Sequence, residues 1–212
     1  MKFCNQRCQG NVYLTMGDAD DQVADDQHAD ESADNDAVRA VLAGDTAQFR
    51  VLVARYQTGV SSYIYRLIPN AADREEVCQD VFLKAYMNLQ QFRFEARFST
   101  WLYTIAYRRA IELLRKRRLA VVDLDDHDVA SEEDLEADHS GQQMARQVRA
   151  QVGRLSAEEQ TILSLYHYQE LGLAEISQIV GKPEGTLKSD LFRIRKKLKQ
   201  GLEQQMQAME AR

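Results

Sequence analysis

Proline and glycine are scarce in this 212-residue chain, at two and ten residues. A turn-rich β architecture needs more of both, so long uninterrupted helices are the easier outcome. Nothing alternates with period two for long enough to make a sheet. Three cysteines, Cys4, Cys8 and Cys78, are too few and odd in number to staple a fold. No His or further Cys lies near Cys4 and Cys8 to complete a zinc site, and Cys78 reads as a small core residue. No apolar run approaches the roughly 18 residues a membrane helix needs, and residues 1–16 lack the apolar core of a signal peptide. No membrane insertion is therefore expected, and a cytoplasmic location is. Phosphate-cradling glycine loops, nucleophile elbows and zinc-ligand spacings are also missing, leaving no catalytic residue, metal or cofactor to assign. His28, His127, His139 and His167 fall mostly in acidic stretches and look incidental.

Charge is abundant but segregated. The net charge of −6 conceals two acidic stretches, residues 18–36 and 123–138, each with nine Asp or Glu and no Lys or Arg. With those eighteen acids set aside, fifteen remain against 27 Lys and Arg. A basic body inside an acidic total suggests polyanion binding. The plainer account is a pair of ordinary solvated faces.

The chain divides at these stretches. Residues 1–36 are polar, acidic and without apolar periodicity, so a disordered tail is expected; Met16 opens its acidic part and is a candidate translation start. Residues 37–119 read as helical throughout. Val38, Val41 and Leu42, then Phe49, Leu52, Val53 and Tyr56, recur at helical spacing on either side of Gly44-Asp45. Asp73 and Glu76 match a capping box, and Val77, Val81, Ala85 and Leu89 continue one stripe. A further helix from Ser99-Thr100 buries Leu102, Ile105, Ala106, Ala110, Leu113 and Leu114 and ends in Arg115-Lys116-Arg117-Arg118. Residues 120–140 form a self-repelling acidic linker, expected to be extended and mobile. Residues 141–204 are helical again, and 205–212 are a terminal tail. The expected fold is all-α, two small helical domains on a flexible linker.

The C-terminal half has the plan of a helix-turn-helix. Ser156-Ala-Glu-Glu159 is a capping box opening a helix with Ile162, Leu163 and Tyr166 inward. A short helix over Leu173–Val180 stops at Gly181, which can take the left-handed conformation. Pro183 restarts a helix at its first turn, and Leu187, Leu191, Ile194 and Leu198 hold it on the core. Glu184, Thr186, Lys188, Ser189 and Arg193 lie off that stripe near the leading end, where long donors reach base edges or phosphates. Arg195, Lys196, Lys197 and Lys199 thicken the basic edge and suit backbone contacts.

The N-terminal half adds something a duplex reader has little use for. From Gln91 to Arg118, Trp101, Tyr103 and Tyr107 are interleaved with seven arginines and a lysine. Unpaired bases stack on aromatic faces while cations track the strand. For Phe92, Phe94 and Trp101, burial in the core is as good an account.

Taken together, Asp73-Arg-Glu-Glu-Val-Cys-Gln-Asp-Val-Phe-Leu-Lys-Ala-Tyr86, Phe98-Ser-Thr-Trp-Leu-Tyr-Thr-Ile-Ala-Tyr-Arg-Arg109 and Gly181–Arg195 resemble the extracytoplasmic-function branch of the sigma-70 family, from about Val38 to Leu202. The resemblance implies an alternative sigma factor that binds core RNA polymerase and directs initiation at promoter DNA. Glu76, Gln79, Asp80 and Lys84 match the helix that docks on the clamp of the largest polymerase subunit. Phe94, Trp101, Tyr103, Tyr107, Arg108, Arg115 and Lys116 fall on the surface that would melt and read the minus-10 element. Glu184, Thr186, Lys188, Ser189, Arg193 and Lys196 would read minus-35. An anti-sigma protein is an implied partner. Three positions depart from the pattern: Arg108 stands where Asn is frequent, Asp190 interrupts a usually basic stretch, and Ser177 replaces a small apolar residue. The rival reading is a stand-alone helix-turn-helix regulator with a dimerisation or sensing domain in front.

Overall fold

A computed structural model describes the backbone of residues 20–121 and 139–210, with side chains placed for residues 31–117 and 144–207. Cys4, Cys8, Met16 and most of the acidic linker lie outside the described residues. The described backbone contains eight α-helices: α1 (Asp20–Leu42), α2 (Phe49–Leu67), α3 (Ala71–Met87), α4 (Phe98–Val121), α5 (His139–Gly153), α6 (Ala157–His167), α7 (Leu173–Val180) and α8 (Glu184–Glu210). Short 3-10 turns at Thr46–Gln48 and Leu89–Gln91 complete it, and no strand occurs among the described residues. None of these helices is long and apolar enough to cross a membrane.

Helices α1 to α4 form the first module. Val38, Leu52, Val60, Ile64, Val77, Val81, Ala85, Leu102, Ala106 and Ala110 are buried together, so the stripes read from spacing face one core except at Leu42, which is 42% exposed at the end of α1. Each large aliphatic side chain removed from water contributes about 1.5–3 kcal/mol. Helices α5 to α8 form the second module around Ile162, Leu165, Ile176, Ile179, Leu187, Leu191 and Ile194. The two cores are continuous, because α2 packs on α6 and α4 packs on α7.

Local signals set several helix ends. The Ser156 Oγ accepts from the Glu159 N–H at 3.2 Å, and the Glu159 carboxylate accepts from the Ser156 N–H at 2.9 Å, the reciprocal box expected there. Gly181, at φ 73°, ends α7 in the left-handed region. At α3 the expectation fails: the cap is Asn70, whose side-chain oxygen accepts from the Asp73 N–H at 3.1 Å, so the helix starts at Ala71 and Asp73 lies inside its first turn. Asn is as good a cap as Asp, and Pro69 just before it fixes the entry.

The N-terminal tail also differs from expectation. Helix α1 begins at Asp20, well before residue 37, and its acids are not all solvated. Asp34 is only 3% exposed and binds both Arg55 and the Tyr56 hydroxyl; Glu31 accepts from Arg97 at 3.3 Å. Low hydrophobicity argues for disorder only when the charges lack partners, and the basic first module supplies them.

Asp34 is thus an anchor of α1. Asp34→Ala should lower folding stability by about 2 kcal/mol, as expected for a lost charged hydrogen bond, read as a lower urea midpoint at unchanged slope.

Candidate nucleic-acid interface

Burial of Leu187, Leu191 and Ile194 orients α8 and turns its other flank outward. Glu184, Thr186, Lys188, Ser189, Arg193 and Lys196 are all exposed on that flank. The residues that the spacing set off the apolar stripe are thus on one exposed surface, and an aromatic not singled out from the sequence lies among them. Phe192 is 69% exposed in the middle of this basic face. The signal was available, since Phe192 falls off the 187–191–194–198 stripe, but an aromatic is assigned to the core by default.

The turn before α8 is held by polar contacts. The Ser177 hydroxyl donates to the Lys182 carbonyl at 2.6 Å, closing the loop between α7 and α8. The Lys182 ammonium pairs with Glu158 on α6 and donates to Asp190 on α8 at 3.1 Å. These contacts, the Glu158 hydrogen bond first, hold the Lys182 pKa above its ordinary value despite partial burial. Pro183 stands just before the helix, its carbonyl accepting from Thr186 and Leu187.

The residues of α4 expected to meet DNA are split between two faces of the helix. Trp101, Ile105, Arg108 and Arg109 line a cleft of about 340 Å³, closed on its other side by Lys84, Asn88 and Gln91 from the end of α3. Arg115 and Lys116 are exposed further along the same helix. On the opposite face, Tyr103 is only 3% exposed. Its hydroxyl donates to the Gln169 side chain at 2.5 Å, and the Gln169 amide donates to the Gly59 carbonyl at 3.3 Å. Thr100 donates to Glu175 at 3.2 Å, and Tyr63 Oη lies 3.3 Å from Thr161 Oγ1. Burial pushes the Tyr63 and Tyr103 phenols up, so both remain donors across the ordinary pH range. Tyr107 is half-buried and raised by the same cause, with Glu158 adding to the effect and Lys182 opposing it. Tyr103 is therefore not on an open nucleic-acid surface: the second module covers it.

Between α3 and α4, Phe94 occupies a left-handed conformation at φ 59° and remains 38% exposed. Bulky residues rarely tolerate this; here Phe92 packs on its ring at 4.9 Å and Arg39 lies 5.2 Å over it. Phe92 is buried, whereas Trp101 is half-buried against Phe92 and Phe98.

The charged residues singled out on α3 also divide. Glu76 and Gln79 are exposed, but Asp80 forms an ion pair with Arg109 and Lys84 turns into the cleft beside Trp101. Leu83 and Met87, 57% and 71% exposed, continue the outer face instead. Helical spacing puts 76, 79, 83 and 87 on one side; only the position of α4 decides which side is outer.

Residues 52–120 match the family model for Sigma-70 region 2, and residues 145–198 that for Sigma-70 region 4. The ECF RNA polymerase sigma factor SigW of Bacillus subtilis is 28% identical over 178 residues, covering 78% of this chain and 94% of that protein. The RNA polymerase sigma-H factor of Pseudomonas aeruginosa is 31% identical over 186 residues, covering 80% and 94%. The ECF RNA polymerase sigma-E factor of Escherichia coli K12 is 32% identical over 178 residues, covering 79% and 93%. Two solved structures share the fold. CnrH in complex with the cytosolic domain of CnrY has a TM-score of 0.62 at 22% identity, covering 81% of this chain and 97% of CnrH. The sigma factor RpoE with the anti-sigma factor NepR from Bartonella quintana has a TM-score of 0.63 at 21% identity, covering 73% and 96%.

The contact between modules has a weak point by design of its geometry. A Cβ at Gly59 would lie 2.6 Å from the Tyr103 hydroxyl and 3.1 Å from the Gln169 side-chain oxygen. Gly59→Ala should break the Tyr103–Gln169 bond, and amides of residues 165–171 should then exchange about tenfold faster, reflecting one lost buried hydrogen bond. Unchanged exchange would mean that these modules do not pack this way in solution.

Proposed function

The chain belongs to the extracytoplasmic-function branch of the sigma-70 family, and on that footing we propose how its two modules divide promoter recognition. It is an alternative sigma factor and not an enzyme: it joins core RNA polymerase and directs initiation at selected promoters. The order of the region 2 and region 4 matches in one chain carries this reading, because a stand-alone regulator has no use for the first.

The minus-35 element is read by α8. Lys188, Ser189 and Arg193 face base edges in the major groove, Lys196 and Thr186 contact the backbone, and Glu184 sits at the leading end. Phe192 belongs with them, its ring suited to a thymine methyl group.

The minus-10 element is melted and held by the first module. Phe94, strained and exposed at the loop tip, and Trp101, Arg108 and Lys84 around the cleft supply an aromatic and cationic receptor for an unstacked base. Arg115 and Lys116 neutralise phosphates beyond it. Tyr103 and Tyr107 join this surface only when the second module leaves α4. The two promoter elements are about 25 base pairs apart, roughly 85 Å of duplex, so modules in mutual contact cannot hold both.

Polymerase docking uses the outer face of α3. Glu76 and Gln79 provide charge and hydrogen bonding, Leu83 and Met87 the apolar contact, on the clamp of the largest subunit. Asp80 supports this face through Arg109. The protein works in the cytoplasm, and an anti-sigma protein holds it inactive; the solved complexes of CnrH with CnrY and of RpoE with NepR support that partner class.

Transcription reconstituted with core polymerase tests the scheme. Specific transcripts should appear only when this chain is added. The double variant Leu83→Asp/Met87→Asp should abolish association with core while leaving the fold intact, both side chains being exposed. Arg193→Ala should cost about 1–3 kcal/mol at one base pair of the minus-35 element, and Phe192→Ala should relax a thymine preference. A wild-type chain that never associates with core polymerase would leave only an operator-binding protein.

A further inference from the structure

The acid in the middle of the recognition helix invites explanation, because a carboxylate facing DNA repels phosphate. Asp190 follows the exposed Ser189 on α8, yet its own side chain is only 16% exposed. Both of its oxygens are engaged by cations of this chain. Oδ2 accepts from Lys182 Nζ at 3.1 Å, and Oδ1 accepts from Arg193 Nη2 at 2.9 Å. Arg193 is held at a second point, its Nε donating to the Ser189 carbonyl at 3.3 Å.

The chemistry of the guanidinium makes this arrangement informative. Arginine has five N–H donors in one rigid plane. The Nε and Nη2 edge of Arg193 is taken up by its own helix. The terminal edge, Nη1 with the second Nη2 hydrogen, has no partner among the described residues, and that edge can form a bidentate pair with guanine O6 and N7. We propose that Asp190 is a positioning residue for minus-35 recognition: it touches no base itself and fixes the Arg193 guanidinium with its terminal edge outward.

Two alternatives fit the geometry less well. A direct cytosine contact from Asp190 is disfavoured because its carboxylate is only 16% exposed and each oxygen already faces a cation of this chain. An ordinary i,i+3 surface pair contributes little, and it would not link three elements. Here Glu158 on α6, Lys182 in the turn and Asp190 on α8 form one chain of charge ending at Arg193. The ordering matters because a free arginine loses rotamer freedom when it pairs with a base, whereas a held one has lost it already. The carboxylate also lowers affinity for arbitrary DNA by screening two cations, and specificity is a difference between affinities.

The proposal rests on α8 being the minus-35 reader, and the test separates the two claims. Holoenzymes carrying the full chain, Asp190→Asn, Arg193→Ala or both would transcribe a promoter library randomised across minus-35. The same four full-length chains would be titrated with random-sequence duplex over a salt series. Asp190→Asn should reduce discrimination at the Arg193-dependent base pair about tenfold while strengthening random-duplex binding several-fold at low salt. In the Arg193→Ala background, Asp190→Asn should change discrimination no further. A purely structural role would weaken specific and random binding together, and that outcome overturns the proposal. So does unaltered discrimination in Asp190→Asn when Arg193→Ala loses it. If Arg193→Ala leaves every base preference intact, the minus-35 assignment of Arg193 itself falls.

Discussion

Burial of α4 on both flanks governs the arrangement of everything else. Phe98, Leu102, Ala106 and Ala110 are buried where α4 meets α2 and α3, and Ala85 on α3 is another small buried residue at that junction. On the other flank, Thr100 and Tyr103 are buried under the second module through Glu175 and Gln169. These hydrogen bonds sit beside apolar contacts, since α4 packs on α7 and α2 on α6 within one hydrophobic cluster that runs through both modules. Each of those hydrogen bonds can be exchanged for one to solvent at small net cost, whereas the apolar contacts beside them lose their burial when the modules part.

The face of α4 toward α2 and α3 is held by hydrophobic burial, and the face toward the second module combines apolar packing on α7 with hydrogen bonds to Glu175 and Gln169. The cleft of Lys84, Trp101 and Arg108 lies between α3 and α4, away from the second module, so its geometry survives separation. The recognition flank of α8 is likewise exposed with the modules in contact. Closure therefore affects chiefly Tyr103 and Tyr107.

Charge is organised on the same principle of internal pairing. Asp34 with Arg55, Asp80 with Arg109 and Asp73 with Arg117 tie acids of one helix to bases of another in the first module, and Glu31 on α1 pairs with Arg97 just ahead of α4. The acidic character read as solvated repulsion in the sequence is in part structural, since partly buried ion pairs feel a lower dielectric than free charges. Among the described residues, Arg115 and Lys116 near the end of α4 and Lys188 and Lys196 on α8 are exposed and outside these ion pairs, whereas Arg193, Lys197 and Lys199 pair with acids of their own module.

The amino-acid order alone determined the features that depend on neighbours a few residues away. The Ser156 box, the Gly181 stop, the α7 bounds, the 187–191–194–198 stripe and the exposed residues of α8 were all legible, because caps and helical periodicity are local physics. Only the tertiary structure decided the rest. Periodicity groups residues on a face without saying what covers it: Tyr103 is buried by Gln169, Asp80 is claimed by Arg109, and Leu83 and Met87 are left outside because α4 packs on the other side. The cap at α3 fell to Asn70 over Asp73, two good caps three residues apart, and α1 is anchored by Arg55 on α2 and by Arg97 just ahead of α4. Apart from the local Asn70 cap, those outcomes rest on contacts between residues tens of positions apart, and such contacts exist only once the chain has closed around them.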